Sequence, residues 1–335
     1  MPDAGPLLVV SPNWLGDAVM ALPAIADLKR HFADRRMIVA ARASVSSLFT
    51  MVPDVERVVT ADVAAIRDAR PSVAVLFPNS FASAWLVWRA GVRERWGYAR
   101  DFRRRLLTRA VRPPKQPMHQ GEYYQHLVRE LGVATGPLEP TLSIGADALD
   151  DAKRLLAQHG WEEGSLLIVL APGAAYGKAK QWIPSHVTWL VTDLVRERGI
   201  TCALVGSRAD AQTTRAIRDA VPVDCQPKVL DLAGETRLPV LAGVMSVAAA
   251  CVSNDSGAMH LAAAAGVPVV AIFGSTNERA TAPLAHAGVP GEIVTNPVWC
   301  RPCMLRECPI DHRCMTGIEP ARVLAAVDRV AKVTA

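Results

Sequence analysis

The chain reads as an α/β protein of two Rossmann-like domains, each a parallel sheet covered by helices, with the two facing one another across a central cleft. Three observations predict this. Short runs of Val, Ile, Leu and Ala alternate with segments of helical period along the sequence, as strands buried on both faces do. Pro113, Pro114, Pro117 and then Gly136-Pro137-Leu138-Glu139-Pro140 interrupt the alternation, which afterwards restarts. The length, 335 residues, suffices for two domains of ordinary size. The expected domains are therefore 1–140 and 141–335, with the last helix able to pack back on the first domain.

In the first domain, Leu7–Val10 is an apolar strand and Asp17 to about Arg30 an amphipathic helix, joined by the turn Ser11-Pro12-Asn13-Trp14-Leu15-Gly16. Met37–Ala41 and Val73–Phe77 follow as strands, with helices near Ser80–Arg89 and Glu122–Leu131. The second domain opens on a helix around Asp147–His159. Its strand candidates are Ser165–Leu170, Thr201–Val205, Val229–Leu232, Cys251–Ser253 and Val267–Phe273. In such sheets ligands bind outside the carboxyl ends of the strands.

Composition narrows the class. Half the residues are hydrophobic, yet no run reaches the length of a transmembrane helix. The opening MPDAGPLLVV lacks a basic stretch followed by a long apolar one, so no signal peptide is read. The expectation is a cytoplasmic protein whose seven cysteines are mostly reduced. The net charge of +5 is concentrated between Arg89 and Lys115, where ten basic residues stand against Glu94 and Asp101. That is a patch for something anionic or a solvated loop. No nucleic-acid-binding motif accompanies it, so nucleic acid is not an expected partner.

Three strand-to-loop junctions of the second half carry polar groups. In "LAPGAAYGKAKQWIP" (170–184), Gly173 and Gly177 allow close approach to the backbone, and Lys178 and Lys180 can hold a phosphate; the plain alternative is a surface loop with solvated lysines. In "VGSRAD" (205–210), Ser207 can cap a helix, while Asp210 can reach a ribose hydroxyl or complement the helix end. The most specific is "VSNDSGAMHLAAAAGVPVVAIFGST" (252–276). There a strand ends at Asn254-Asp255, and Ser256-Gly257 begin a helix of small residues whose first N–H groups form an anion site. His260, one turn in, is expected to face the same way; alternatively it is a satisfied core histidine. Gly274-Ser275-Thr276 end the next strand at the same edge. No GxGxxG follows either first strand, which argues against a nicotinamide oxidoreductase.

Together, "NWLGDAVMALPAI", "LFPNSFASAWLVWRAGV", "APGAAYGKAKQWIP", "NDSGAMHLAAAAGVPVVAIFGST" and "CRPCMLRECPIDHRC" resemble glycosyltransferase family 9, in the family's order from about residue 7 to residue 330. The resemblance implies the GT-B architecture, an ADP-sugar donor on the C-terminal domain and the lipopolysaccharide inner core on the N-terminal one. The implied activity is transfer of a heptose from ADP-heptose to that core. It implies Asp17 and Lys180 as catalytic residues. Gly173, Tyr176, Lys180, Asp210, Asp255, Ser256, Gly257, His260 and Thr276 would bind the donor. Asn13, Gly16, Asn79, Ser80, Arg103 and Arg104 would bind a lipid A–Kdo–heptose type glycolipid acceptor. The basic segment then suits that phosphorylated acceptor and peripheral contact with the cytoplasmic face of the inner membrane. Asp17 reads either as a stabiliser of the first helix N-terminus or as the base for the acceptor hydroxyl. A more remote reading is a nucleotide-binding protein without catalysis.

No Asp-x-Asp pair exists to hold a metal on the diphosphate, so an inverting, metal-independent transfer is expected, with no cofactor beyond the ADP-heptose substrate. Cys300-x2-Cys303-x4-Cys308-x5-Cys314, with His312 nearby, has a spacing that would admit a structural zinc. Only one short Cys-x2-Cys knuckle is present, so reduced, packed cysteines or a disulfide are the competing readings.

Overall fold

The structure is a computed structural model that describes residues 5–53 and 55–331; residues 1–4 of the stretch read for a signal peptide lie outside it. Two compact units divide at Ser143 and Ile144. The first holds a parallel sheet of β1 (Leu7–Val10), β2 (Met37–Ala41), β3 (Val55–Thr60), β4 (Val73–Leu76), β5 (Glu94–Tyr98) and β6 (Arg109–Val111), in the order β3-β2-β1-β4-β5-β6. The second holds β7 (Leu167–Ala171), β8 (Thr201–Leu204), β9 (Val229–Asp231), β10 (Ala250–Asn254), β11 (Val269–Phe273) and β12 (Gly291–Thr295), in the order β12-β11-β10-β7-β8-β9. Every pairing is parallel. This is the GT-B plan of two Rossmann-like sheets.

The central strands are those with unbroken apolar runs. β1 (LLVV), β4 (VAVL) and β7 (LIVLA) are buried at every residue, as strands covered on both faces must be. In each sheet the strand order reverses once, between β1 and β4 in the first unit and between β7 and β10 in the second. The loops after those four strands therefore diverge and leave a crevice at each reversal.

Four strands escaped the sequence reading, and three of them, β3, β6 and β12, form sheet edges. These edge strands carry charge, so the apolar run that marks a central strand is missing: β3 is VERVVT, β6 RAV and β12 GEIVT. β5, ERWGY, also opens on charged residues. The basic 89–115 segment is thus not a loop; it contains β5 and β6. The helix expected from Asp17 to Arg30 is two, Leu15–Met20 and Leu22–His31, parted at Ala21. Pro23 has no N–H to donate to the carbonyl four residues back. The last helix, Pro320–Ala331, packs on β10, β11, β12 and the Pro184–Arg196 helix of its own unit. Among the described residues no helix is long and apolar enough to cross a membrane.

Candidate functional site

Two groups of polar residues stand at the two crevices, and each is described within its own unit. In the second unit the loop after β7 is fixed to the end of β10 by one side chain. Asn254, 2% exposed, donates to the carbonyls of Pro172 (2.7 Å) and Gly173 (3.3 Å) and accepts from the Trp182 N–H (3.1 Å). That clamp brings Lys180 to Asp255, Nζ to Oδ2 at 2.7 Å, while the Thr276 hydroxyl donates to the same oxygen at 2.6 Å. Asp255 is 5% exposed and the Lys180 side chain 15%. Such a pair is a poised cation with one face toward solvent, held by a carboxylate that is itself satisfied.

The Tyr176 ring takes Lys180 Nζ 4.9 Å from its centroid and the Arg306 guanidinium at 5.2 Å, and its hydroxyl donates to the Met304 carbonyl at 2.9 Å. Asp210 does cap its turn: its carboxylate accepts from Ser207 N–H (2.8 Å) and Oγ (2.7 Å). It also lies against Gly173 so closely that any Cβ there would collide with it. A side chain at position 173 would have to displace the Asp210 carboxylate, so Asp210 lies directly against the lysine loop.

Ser256 occupies the N-cap position of the Gly257–Ala264 helix with no side-chain cap bond, its Oγ lying 3.1 Å from Ser253 Oγ. The first-turn N–H groups from Gly257 onward therefore keep their capacity for an anion. His260 fits the second of its two readings, a histidine within the core. It is 2% exposed within the buried run Met259–Ala264, because this small-residue helix packs closely on β10 and β11. Its ring is enclosed by protein rather than standing open beside the helix mouth.

In the first unit, Asn13 and Trp14 are exposed at the end of β1, and Gly16 and Asp17 are half-buried. Trp14 holds the N-cap position and Asp17 lies in the first turn, where its charge complements the helix N-terminus without capping it. The Asp17 charge bears on Tyr124. Burial, and then Asp17, push that phenol well above its ordinary value, and its ring meets Phe77, just past β4, edge-on at 5.2 Å. Asn79 Nδ2 donates to the Tyr123 hydroxyl at 3.0 Å, while its Oδ1 is buried without a hydrogen-bond partner. Beside it lies a cavity of about 320 Å³ lined by Asn79, Arg100, Lys115, Gln116, Gln120 and Tyr123. Ser80 caps the Phe81–Arg89 helix by accepting from Ser83 N–H at 3.3 Å.

Arg104 is exposed, but Arg103 is fully buried. It donates to the Tyr98 carbonyl (2.9 Å), the Ser83 hydroxyl (2.9 Å) and the Pro78 carbonyl, and burial lowers its pKa to about 10. Its Nε and Nη1 donors serve the segment that shapes the Asn79 loop, while its Nη2 is buried without a hydrogen-bond partner, so the side chain supports that loop from within rather than standing exposed beside it. Asn254 and Arg100 were missed as site residues. Asn254 was visible only as a polar strand end, and Arg100 only as one of ten basic residues.

All seven cysteines are free. Cys314 is buried, and desolvation followed by the charges of Cys300, Cys303 and Cys308 raises its thiol. Among the described residues no three His, Cys, Asp or Glu side chains are placed to hold a metal ion. What the segment does hold is the lysine loop. The Arg306 carbonyl accepts from Ala179 N–H (2.9 Å), and His312 Nε2 donates to the Ala179 carbonyl (2.9 Å).

The second unit thus sets a lysine and a helix N-terminus without a side-chain cap at the reversal of its sheet, an arrangement able to receive an anionic group. The family model described as glycosyltransferase family 9 (heptosyltransferase) matches residues 59–313, and the chain belongs to that family and is a glycosyltransferase. Asn13, Gly16 and Asp17 precede the matched span. The chain is 29% identical to lipopolysaccharide heptosyltransferase 2 of Salmonella typhimurium, covering 84% of this chain and 86% of the relative. It superposes on the structure of E. coli ADP-heptose lipopolysaccharide heptosyltransferase II with a TM-score of 0.83 at 26% identity, over 98% of each chain. A glycosyl transferase family 9 structure from Veillonella parvula shares the fold at a TM-score of 0.83 and 17% identity, over 100% and 99% of the two chains.

Proposed function

We propose that the protein transfers a heptose from ADP-heptose to the inner core of lipopolysaccharide, adding the second heptose, with inversion and without a catalytic metal. The observation that carries this is the Lys180–Asp255–Thr276 cluster beside the uncapped Gly257–Ala264 helix, at the point where the second sheet reverses. A leaving diphosphate gains negative charge as the glycosidic bond breaks, and fixed donors there stabilise it. Lys180 and the N–H groups at Ser256 and Gly257 meet that need, while Gly173, Tyr176, Asp210 and Thr276 shape the remainder of the donor site.

Asp17 takes the proton of the acceptor hydroxyl, and the sugar passes through an oxocarbenium-like state between the two oxygens. Asn13, Gly16, Asn79, Ser80 and Arg104 bind the acceptor, and Arg100 and Lys115 in the neighbouring cavity suit its anionic groups. The acceptor is a lipid-anchored glycolipid, so the reaction belongs at the cytoplasmic face of the inner membrane. Addition of a first or third heptose is the alternative within the family. The test is ADP release from ADP-heptose: it should require a core acceptor and should fall roughly 10²-fold in Asp17→Asn. Release without acceptor, or none with any core, contradicts the reading.

A further inference from the structure

The Phe81–Arg89 helix is apolar on two faces. Ser83, Ala84 and Val87 are buried on its inner face, while Phe81, Trp85 and Trp88, spaced i, i+4 and i+7, are 43%, 40% and 45% exposed. A helix covering a sheet ordinarily gives its outer face to polar residues. Here the rings are stacked, Phe81 on Trp85 at 6.2 Å and Trp85 on Trp88 at 4.7 Å.

The Arg103–Leu106 turn packs against this helix, and Phe102 before it is 98% exposed. Asp101 and Phe102 both have left-handed backbones, φ 50° and 55°, a strained choice for a bulky side chain. The strain is held in place by the Asp101 carboxylate, which accepts from Phe81 N–H at 2.6 Å. Arg89, its guanidinium 6.0 Å from the Trp85 centroid, and the exposed Arg104 and Arg105 add positive charge to this face. Asp101, beside the exposed Phe102, is engaged by that N–H.

Single exposed apolar residues need no explanation, but a run of four aromatic rings does. Tryptophan is the side chain of the membrane–water interface, and adjoining arginines favour anionic headgroups. We propose that this face docks the protein on an anionic lipid bilayer, with Phe81, Trp85, Trp88 and Phe102 entering at headgroup depth and the arginines meeting lipid phosphates. The inference rests on the reading of a lipid-anchored acceptor and names the surface that reaches it.

The test uses the full chain with phosphatidylcholine vesicles, with and without phosphatidylglycerol. Wild type should bind the anionic vesicles, less as salt rises, with tryptophan emission quenched by brominated lipid. The double variant Trp85→Ser/Phe102→Ser should lose affinity roughly 10-fold or more while keeping the wild-type transfer rate on a deacylated, water-soluble acceptor. Phe102→Ser alone, at a side chain that is 98% exposed, should weaken binding in the same direction and guards against misfolding of the pair. Unchanged vesicle binding in the variants overturns the proposal, as does a wild type that ignores anionic vesicles. So does a wild-type dimer that the double variant turns into a monomer, since the face would then join two copies. Failure of wild type to transfer heptose to the soluble acceptor would instead count against the proposed function and leave the vesicle result standing.

Discussion

Lys180 and Asp17 carry most of the chemistry assigned here, and each has a substitution that separates its role from structure. Lys180→Ala should weaken ADP binding by about 1.5–3 kcal/mol in calorimetry, the worth of a charge-assisted contact. The same change leaves Asp255, 5% exposed, with the Thr276 hydroxyl as its remaining hydrogen-bond partner among those described, so melting should also fall. Lys180→Gln with donor affinity and rate unchanged would move the role to Lys178. For Asp17 the N-cap position belongs to Trp14, so Asp17→Asn keeps the helix intact. Near-native melting and ADP binding are expected, with turnover reduced by roughly 10²-fold. Turnover within a few-fold of wild type would place the base elsewhere.

At the scale of elements, the donor loop depends on a neighbouring strand end and on the cysteine segment. Asn254→Ala should lower stability by roughly 2–4 kcal/mol, because three buried backbone groups lose their partner at once. ADP affinity should fall with it, as read by thermal midpoint and titration of the full chain. For the cysteine segment, transfer should survive strong chelation, with melting followed in parallel. Turnover lost in EDTA and restored by magnesium contradicts the helix-and-lysine account, whereas a lower midpoint alone means that Cys300, Cys303, Cys308 and Cys314 hold a metal. Alkylation near neutral pH gives the complementary reading. The exposed Cys303 should react first and Cys202, Cys251 and Cys314 last, since burial raises the latter three thiols and keeps them protonated.

These elements also show what the sequence could disclose. β1, β2, β4, β7 and β11 were legible because strands buried on both faces are apolar throughout. β3, β6 and β12 were not, because an edge strand needs no such run. The loops at both reversals were legible as polar interruptions at strand ends. Their internal contacts were not: the Asn254 clamp, the Asp210–Gly173 contact and the Arg103 network each join residues distant in sequence, and nothing local marks them. The burial of His260 and Arg103 was not legible for one reason. A polar residue in a motif is indistinguishable, by type alone, from one that the fold has buried.

At the scale of the whole molecule, the account assigns the donor to one Rossmann-like unit and the acceptor to the other, with heptose as the group passed. The most direct measurement is of product mass. The full chain is incubated with ADP-heptose and with lipopolysaccharide core acceptors carrying zero, one or two heptoses, and each product is weighed. The account predicts one added heptosyl residue on the acceptor that already carries one, with ADP released in equal amount. No mass gain on any of the three, or transfer from a different nucleotide sugar in preference to ADP-heptose, would contradict it.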